Sequence, residues 1–296
     1  MAAALAAVLA PVRVATRART DLDAASVVGL VTDNGAAARL QAACAGWPAL
    51  RFIAYLAHGA GELLEAAIPP PVRLLRLRDP FITRALQEYV TMHLLAFHRD
   101  RRAYELQQRR RRWEPRAPVA AEARRVAVLG LGEIGGAIAR RIASMGFETR
   151  GWSRTGARVP GVRCSHGPLH DVLRAADVII NVLPATGRTR ALLGEAEFAL
   201  LRRGSCVINV GRGATMVHSA LLRAVRSGQV AYAALDVTEP EPLPRSNPLW
   251  LEPAVVVTPH SAGLTAELSL PALAKLLKAA LAGRADRWRV QPNRGY

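Results

Sequence analysis

Short apolar runs bordered by Gly, Asn or Pro alternate along the chain with longer stretches of helical spacing. The runs at 27–31 and 50–57 have the length and borders of buried parallel strands, with helical composition between them at 36–45. Ile68-Pro69-Pro70-Pro71 is a stiff connection, and a further strand is expected at 72–77. A long amphipathic helix follows from 82 to about 108, in which Leu86, Val90, Leu94 and Phe97 recur on one face. Pro115 and Pro118 punctuate its far end. From Arg125 onward the pattern predicts strands at 126–129, 148–152, 178–182, 206–210, 231–236 and 255–258, with helices starting from Ile134, Pro168, Gly194 and Ser219. This succession specifies an α/β fold with a doubly wound parallel sheet of the Rossmann type, whose ligands bind beyond the carboxyl ends of the strands. A closing helix at 268–281 can fold back towards the first domain. The opening residues read as an Ala-rich helix and a strand at 12–15. A targeting peptide is the competing reading, but its arginines follow the apolar run, whereas a secretory signal places its positive charge ahead of it.

At 296 residues the chain has room for two domains at about 150 residues each. With 51% hydrophobic and 21% charged residues it carries enough apolar surface to offset the entropy of folding, which excludes wholesale disorder. No run reaches the roughly eighteen apolar residues that a membrane span requires. Cys44, Cys164 and Cys206 are far apart and form no Cys-x-x-Cys, so neither a disulfide framework nor a zinc cluster is expected, and a reducing cytoplasm fits.

The net charge of +17 invites a nucleic-acid partner, because neutralising phosphates releases counterions. Its distribution argues otherwise. Lys275 and Lys278 are the only lysines, and the arginines are spread through an Ala-rich chain. The one dense cluster, at 99–116, has Tyr104 and Trp113 within it but no ribonucleoprotein pattern, zinc-finger spacing or heptads beside it. A solvated helix face or a subunit contact is the preferred reading, with no specific nucleic-acid partner and no membrane.

Chemistry begins at Gly130-Leu131-Gly132-Glu133-Ile134-Gly135. A G-x-G-x-x-G alone is weak, but this one follows the apolar strand at 125–129 and opens a helix with Ala137, Ile138 and Ile142 at packing spacing. The first glycine permits the tight turn, the second lets the backbone approach a pyrophosphate, and the third lets helix and strand pack closely. At the end of the next strand a carboxylate would hold the ribose hydroxyls of NAD. Here the residues are Ser153, Arg154 and Thr155, a guanidinium between two hydroxyls, which suits a 2′-phosphate and selects NADP(H) over NAD(H). Three later segments each follow an expected strand: Asn209-Val210-Gly211-Arg212-Gly213, the run from Asp236 to Pro244 containing Glu241, and Thr258-Pro259-His260-Ser261-Ala262-Gly263. Hydride transfer to a 2-oxo acid needs a cation to hold the carboxylate and polarise the carbonyl, a role for Arg212. It also needs an acid to protonate the alkoxide, a role for His260 with Glu241 fixing its tautomer.

Together these segments resemble the D-isomer-specific 2-hydroxyacid dehydrogenase family, and within it the NADPH-preferring glyoxylate/hydroxypyruvate reductases. The fingerprint, the strand-end Trp152-Ser153-Arg154, Asn181-Val182-Leu183-Pro184-Ala185-Thr186 with Thr189 and Leu192, and the three catalytic segments match in order, and the likeness extends to Glu88-Tyr89-Val90 and His98-Arg99. The resemblance implies a catalytic set of Arg212, Glu241 and His260, and a cofactor site lined by Glu133, Ile134, Leu183, Pro184, Thr189, Val210, Gly211, Asp236 and Gly263 in addition to the glycines and Ser153 to Thr155. It also implies a substrate carboxylate received near Ala60 and Gly61 as well as by Arg212 and His260, no metal, and a homodimer formed through the nucleotide domain. The implied substrate domain is a smaller, flavodoxin-like α/β unit built from both chain ends, at 1–90 and 264–296 with its C-terminal helix and tail, around a dinucleotide-binding domain at 91–263. Two departures stand out. The chain opens with a helix where the family has an edge strand first, and the family's Gly-Ala-Gly-Val-Asp loop reads Gly59-Ala60-Gly61-Glu62-Leu63, which brings a negative charge to an acid-binding site. The leading expectation is NADPH-dependent reduction of glyoxylate, hydroxypyruvate and similar 2-oxo acids. The alternative is a catalytically weakened NADP(H)-binding protein acting through its oligomer or a partner surface, which the departures favour and the retained Arg212, Glu241 and His260 oppose.

Overall fold

The computed structural model describes Leu9 and residues 23–32, 37–56, 68–263 and 269–290. The strand expected at 12–15 and the loop with Ala60, Gly61 and Glu62 lie outside them. The chain forms two compact units, one of Met1–Ile82 with Thr265–Tyr296 and one of Thr83–Leu264.

The first unit holds a three-stranded parallel sheet in the order β1 (Gly29–Thr32), β2 (Phe52–Tyr55), β3 (Arg73–Arg76). Successive residues of the wholly buried β2 face opposite sides, as strand geometry requires. Phe52 and Ala54 pack with Leu75, Leu77, Leu273, Leu276, Leu277 and Trp288, whereas Ile53 and Tyr55 pack with Leu40, Leu50 and Val290. Helix α1 (Ala37–Gly46) supplies Leu40, and the late helix Leu270–Leu281 supplies the three leucines of the other face. Each such leucine contributes about 1.5–3 kcal/mol on burial. Val290 N–H donates to the Leu74 carbonyl at 3.0 Å, so the segment after that helix is tied to β3.

The expected helix from 82 to 108 is two helices, α2 (Pro80–His98) and α3 (Arg101–Arg109). Asp79 starts α2 by accepting the Phe81 N–H at 2.9 Å, with Pro80 in the first turn. Asp100 breaks the run: its φ of 53° is left-handed, a conformation that Asp tolerates better than most residues, and its carboxylate lies 3.1 Å from Arg116. The apolar repeat from Leu86 ends at Phe97 for the same reason, and α3 buries no residue. The boundary between units falls inside α2, ahead of residue 90. Gln87 bonds the Ala137 carbonyl, Tyr89 bonds Thr258 and His93 bonds Tyr232, so these helix residues belong with the second unit.

The second unit carries a seven-stranded, all-parallel sheet in the order β10 (Val255–Val257), β9 (Val230–Leu235), β8 (Ser205–Asn209), β7 (Val178–Asn181), β4 (Arg125–Leu129), β5 (Glu148–Trp152), β6 (Arg163–Ser165). Five of these strands follow apolar runs, and a sixth, β5, lies at the expected 148–152 with the mixed sequence Glu-Thr-Arg-Gly-Trp. The seventh, β6, has the polar sequence Arg-Cys-Ser and buries none of its residues fully, so no apolar run announces it. The order reverses between β4 and β7, which opens the crevice where doubly wound sheets bind ligands. Helices α4 (Glu133–Ala143), α5 (Leu169–Ala175), α6 (Glu195–Leu200) and α7 (His218–Arg226) make the crossovers, and α8 (Leu270–Leu281) is the late helix of the first unit. Among the described residues no helix is long and apolar enough to cross a membrane.

His93 joins α2 to the sheet. Its ring is buried, Nδ1 lies 2.6 Å from the Tyr232 hydroxyl, and Nε2 has no hydrogen-bond partner among the described residues. Burial pushes the imidazole down to about 4 and raises the Tyr232 phenol, so at neutral pH the two share a hydrogen bond as a neutral ring and a neutral phenol. Unfolded histidine takes up its proton near pH 6.5, so this contribution to stability is complete above that pH and is lost as pH falls towards 4. Between about pH 7 and pH 5 the wild type is expected to lose about 2 kcal/mol more unfolding free energy than His93→Gln, measured by urea denaturation. Equal losses in the two proteins would remove His93 from the acid sensitivity.

Candidate active site

The fingerprint loop is shaped by close backbone contact. Gly130 has φ +96° and donates its N–H to the Trp152 carbonyl at 2.8 Å, tying the end of β4 to β5. A Cβ on Gly135 would sit 1.8 Å from the Gly130 carbonyl oxygen, so the first turn of α4 packs directly on the turn that precedes it. At Gly132 a Cβ would meet nothing, and no side chain caps the helix there. The first turn of α4 therefore opens on an uncrowded surface, and a helix start of this kind suits an anion. Glu133 and Ile134 form the first turn itself.

Ser153, Arg154 and Thr155 form a tight turn after β5. The Ser153 hydroxyl is buried and accepts the Ala157 N–H at 2.9 Å, while Arg154 and Thr155 are exposed. Across the crevice, Leu183 follows β7 and is buried, and the Thr189 hydroxyl donates to the Pro184 carbonyl at 2.6 Å and accepts the Thr186 N–H. Thr189 thus holds the 184–189 loop in shape.

Arg212, Glu241 and His260 follow β8, β9 and β10. These three strands are adjacent and parallel, so all three residues lie beyond the same edge of the sheet as the fingerprint. A Cβ on Gly211 would be 2.6 Å from the Leu183 carbonyl oxygen, and one on Gly213 would be 2.0 Å from that of Thr238. The loops after β7, β8 and β9 therefore touch through their backbones on both sides of Arg212. The Arg212 guanidinium is half-buried and donates to the Gly211 carbonyl at 2.7 Å. His260 and Glu241 are paired directly, with Nδ1 and Oε2 2.8 Å apart, and the other Glu241 oxygen accepts the Thr238 N–H at 2.9 Å. Both side chains are partly open to solvent. An imidazole whose Nδ1–H is held by a carboxylate presents Nε2 for proton transfer.

Two buried polar groups organise this edge, and the sequence showed neither role. Asn181, fully buried at the end of β7, donates to the Asn209 side chain at 3.0 Å and to the Thr215 hydroxyl at 2.7 Å. Asn209 Oδ1 accepts the Gly211 N–H, and the Thr215 hydroxyl donates to the Arg212 carbonyl at 2.6 Å, so this network brackets the backbone of Arg212. Asp236, 2% exposed, accepts the N–H groups of Ser261 and Ala262 at 2.8 and 3.0 Å and the Thr258 hydroxyl at 2.6 Å, while its backbone carbonyl accepts the His260 N–H. Its carboxylate is thus committed to the His260 loop. Val210 and Ala262 are buried and Gly263 is half-buried beside these residues. A hint was present in the chain: Asn at the ends of two successive apolar strands and Asp at the end of a third are polar residues where such strands finish. No metal-binding group of His, Cys, Asp and Glu occurs among the described residues.

Residues 91–262 match the NAD binding domain of D-isomer specific 2-hydroxyacid dehydrogenases. A glyoxylate/hydroxypyruvate reductase A from Yersinia enterocolitica is 36% identical over 232 residues, which covers 77% of this chain and 74% of that protein. The structure of a D-isomer specific 2-hydroxyacid dehydrogenase from Xanthobacter autotrophicus in complex with NADPH and MES superposes with a TM-score of 0.89 at 34% identity, covering 99% of this chain and 94% of that one. An NADPH-dependent glyoxylate/hydroxypyruvate reductase from Sinorhizobium meliloti, solved with NADP and sulfate, gives 0.88 at 29% identity, covering 100% and 96%.

The glycine contacts predict opposite signs for two neighbouring substitutions. Gly135→Ala drives a methyl group into the Gly130 carbonyl and is expected to cost about 1–3 kcal/mol. Gly136→Ala makes no contact shorter than 3.4 Å, to Val159, inside a helix and is expected to gain about 0.5–1 kcal/mol. Thermal melts should place the two variants on opposite sides of the wild type; melts on the same side would contradict the contact geometry.

Proposed function

Because the chain belongs to the D-isomer specific 2-hydroxyacid dehydrogenase family, we propose that it reduces small 2-oxo acids, glyoxylate and hydroxypyruvate foremost, to 2-hydroxy acids with NADPH. The observation that carries the reading is the His260–Glu241 pair, held at 2.8 Å beyond the same sheet edge as Arg212 and the fingerprint loop.

The residues present fit the cofactor. The uncapped start of α4, with space at Gly132, would take the diphosphate, and Arg154 with Thr155 would take the 2′-phosphate. Leu183, Pro184, Val210, Gly211, Asp236 and Gly263 would border the nicotinamide half. NADPH, when bound, supplies the hydride. Arg212 holds the substrate carboxylate and draws electron density from the carbonyl. His260, protonated on both nitrogens, delivers its Nε2 proton to the carbonyl oxygen as that oxygen gains charge, and keeps Nδ1–H on Glu241. Substrate recognition falls to the unit built from both chain ends, including Ala60 and Gly61, and dinucleotide binding to the Thr83–Leu264 unit. The scattered free cysteines suit a cytoplasmic enzyme.

We further assign the subunit contact of a homodimer to α2 and α3. Met92, Leu95 and Leu106 are exposed there, and a cavity of about 390 Å³ beside them is lined by Met92, Ala96, Leu106, Val256 and three arginines, a socket for the second copy.

NADPH oxidation with glyoxylate and hydroxypyruvate, run beside NADH, tests the reading. His260→Gln should lower kcat by about 10²–10⁴-fold. Arg212→Ala should cost about 10²–10³-fold in kcat/KM. Arg154→Ala should weaken the use of NADPH at least about tenfold while leaving that of NADH nearly unchanged. Tight NADPH binding with no turnover on either acid would instead favour a protein that keeps the cofactor site alone. For the subunit contact, light scattering should show a dimer that Leu106→Glu converts to monomer; an unchanged mass would move the contact elsewhere.

A further inference from the structure

His260 stands in a backbone conformation that a bulky side chain rarely adopts, with φ +51°. Such a residue persists only where its surroundings over-determine it. It lies on the loop after β10, which is an edge strand of three half-buried residues paired on one side only. The strand alone is a slight support for a strained residue. Most of the restraint converges on Asp236, through the Ser261 and Ala262 N–H groups, the His260 N–H and the Thr258 hydroxyl.

The hydroxyl is the informative member of this set. A carboxylate only accepts, so the 2.6 Å contact makes Thr258 the donor to Asp236. The lone pairs of Thr258 then face the Tyr89 phenol at 2.9 Å, and Tyr89 is the donor there. The chain of hydrogen bonds therefore has one direction, from Tyr89 to Thr258 to Asp236, and it crosses three separate elements: α2, the end of β10 and the end of β9. Burial pushes the Tyr89 phenol up to about 12, which keeps its proton in place throughout the working range. The Tyr89 ring also rests on His93, with centroids 4.4 Å apart, so the first donor is itself held.

We propose that Thr258, oriented by Tyr89, is a positioning residue for the reaction: its hydroxyl fixes the loop that holds the His260 imidazole in line for proton delivery. The role rests on the reading of His260 as the acid. Neither residue touches the reacting atoms. A shift of about 1 Å in a catalytic group costs about 10²-fold, so the loss of one restraint on a strained loop registers in the rate of proton transfer.

The test compares Thr258→Val, which keeps the shape and removes the donor, with Thr258→Ser, which keeps the donor, and with Tyr89→Phe. His260→Gln is assayed alongside. Thr258→Val is expected to lower kcat for glyoxylate about 10–100-fold, with glyoxylate KM and NADPH affinity within about twofold of wild type, and to enlarge the solvent deuterium isotope effect on kcat. Thr258→Ser should restore kcat to within about threefold, and Tyr89→Phe should show a smaller loss of the same kind. Wild-type kcat in Thr258→Val, or equal loss in the Val and Ser variants, overturns the proposal. So does a loss confined to KM or to NADPH affinity. If Thr258→Val does not fold, Tyr89→Phe, which removes one hydroxyl from a half-buried ring, decides alone through kcat and the isotope effect. Should His260→Gln turn over as fast as wild type, the reading of His260 fails instead, and the two failures are told apart within one data set.

Discussion

The arrangement at the sheet edge depends on backbone meeting backbone without side chains between. The contacts at Gly135, Gly211 and Gly213 each leave less room than a methyl group needs; the first packs α4 on its own preceding turn, and the other two each join a loop to its neighbour. Parallel strands deliver loops to one edge but leave them roughly a strand spacing apart, about 4.8 Å. The glycines close that gap. Once the loops after β7, β8 and β9 are in contact, Arg212 sits on backbone fixed from both sides, with its guanidinium bonded to the Gly211 carbonyl.

Two polar systems then hold what the glycines bring together. The Asn181–Asn209–Thr215 network satisfies backbone groups around Arg212, and the Asp236 carboxylate satisfies those around His260. Each is fully or almost fully buried, where an unpaired polar group would cost about 1–3 kcal/mol. That penalty gives the networks their rigidity, because any loop movement that breaks a bond leaves a buried group without a partner. Arg212 and His260 are thus mounted by separate, adjacent devices.

The sheet was legible in the chain because five of the seven strands of the larger unit are apolar runs flanked by turn residues and a sixth, β5, with the mixed sequence Glu-Thr-Arg-Gly-Trp, follows the fingerprint helix where the alternation calls for a strand, and the fingerprint was legible because its glycines follow one of those runs. β6 was not, since Arg163-Cys164-Ser165 has no apolar pattern and pairs only at an edge. The break at Asp100 was missed because the surrounding arginines are good helix formers, and spacing alone does not register a left-handed residue. The candidate acid and cation were visible as His260 and Arg212 after strands. Their supports were not, because Tyr89, Thr258 and Asp236 are brought together by strand order and helix packing over long separations, which no local spacing records.

The edge position of β10 has a consequence for how activity fades. Local opening free energies are lowest where backbone is paired on one side and little apolar area is buried. The strand bearing His260 has both properties, whereas β4, which leads into the fingerprint, is interior to the sheet and buried over four of its five residues. On warming, β10 is therefore expected to fray before the fingerprint half of the sheet, leaving the Asp236 hydrogen bonds as the main hold on the His260 loop. On the proposed reading of His260 as the acid, such fraying would stop proton delivery before the fingerprint half of the sheet is lost, so catalytic lifetime would follow the rim of the sheet and not the melting of the core.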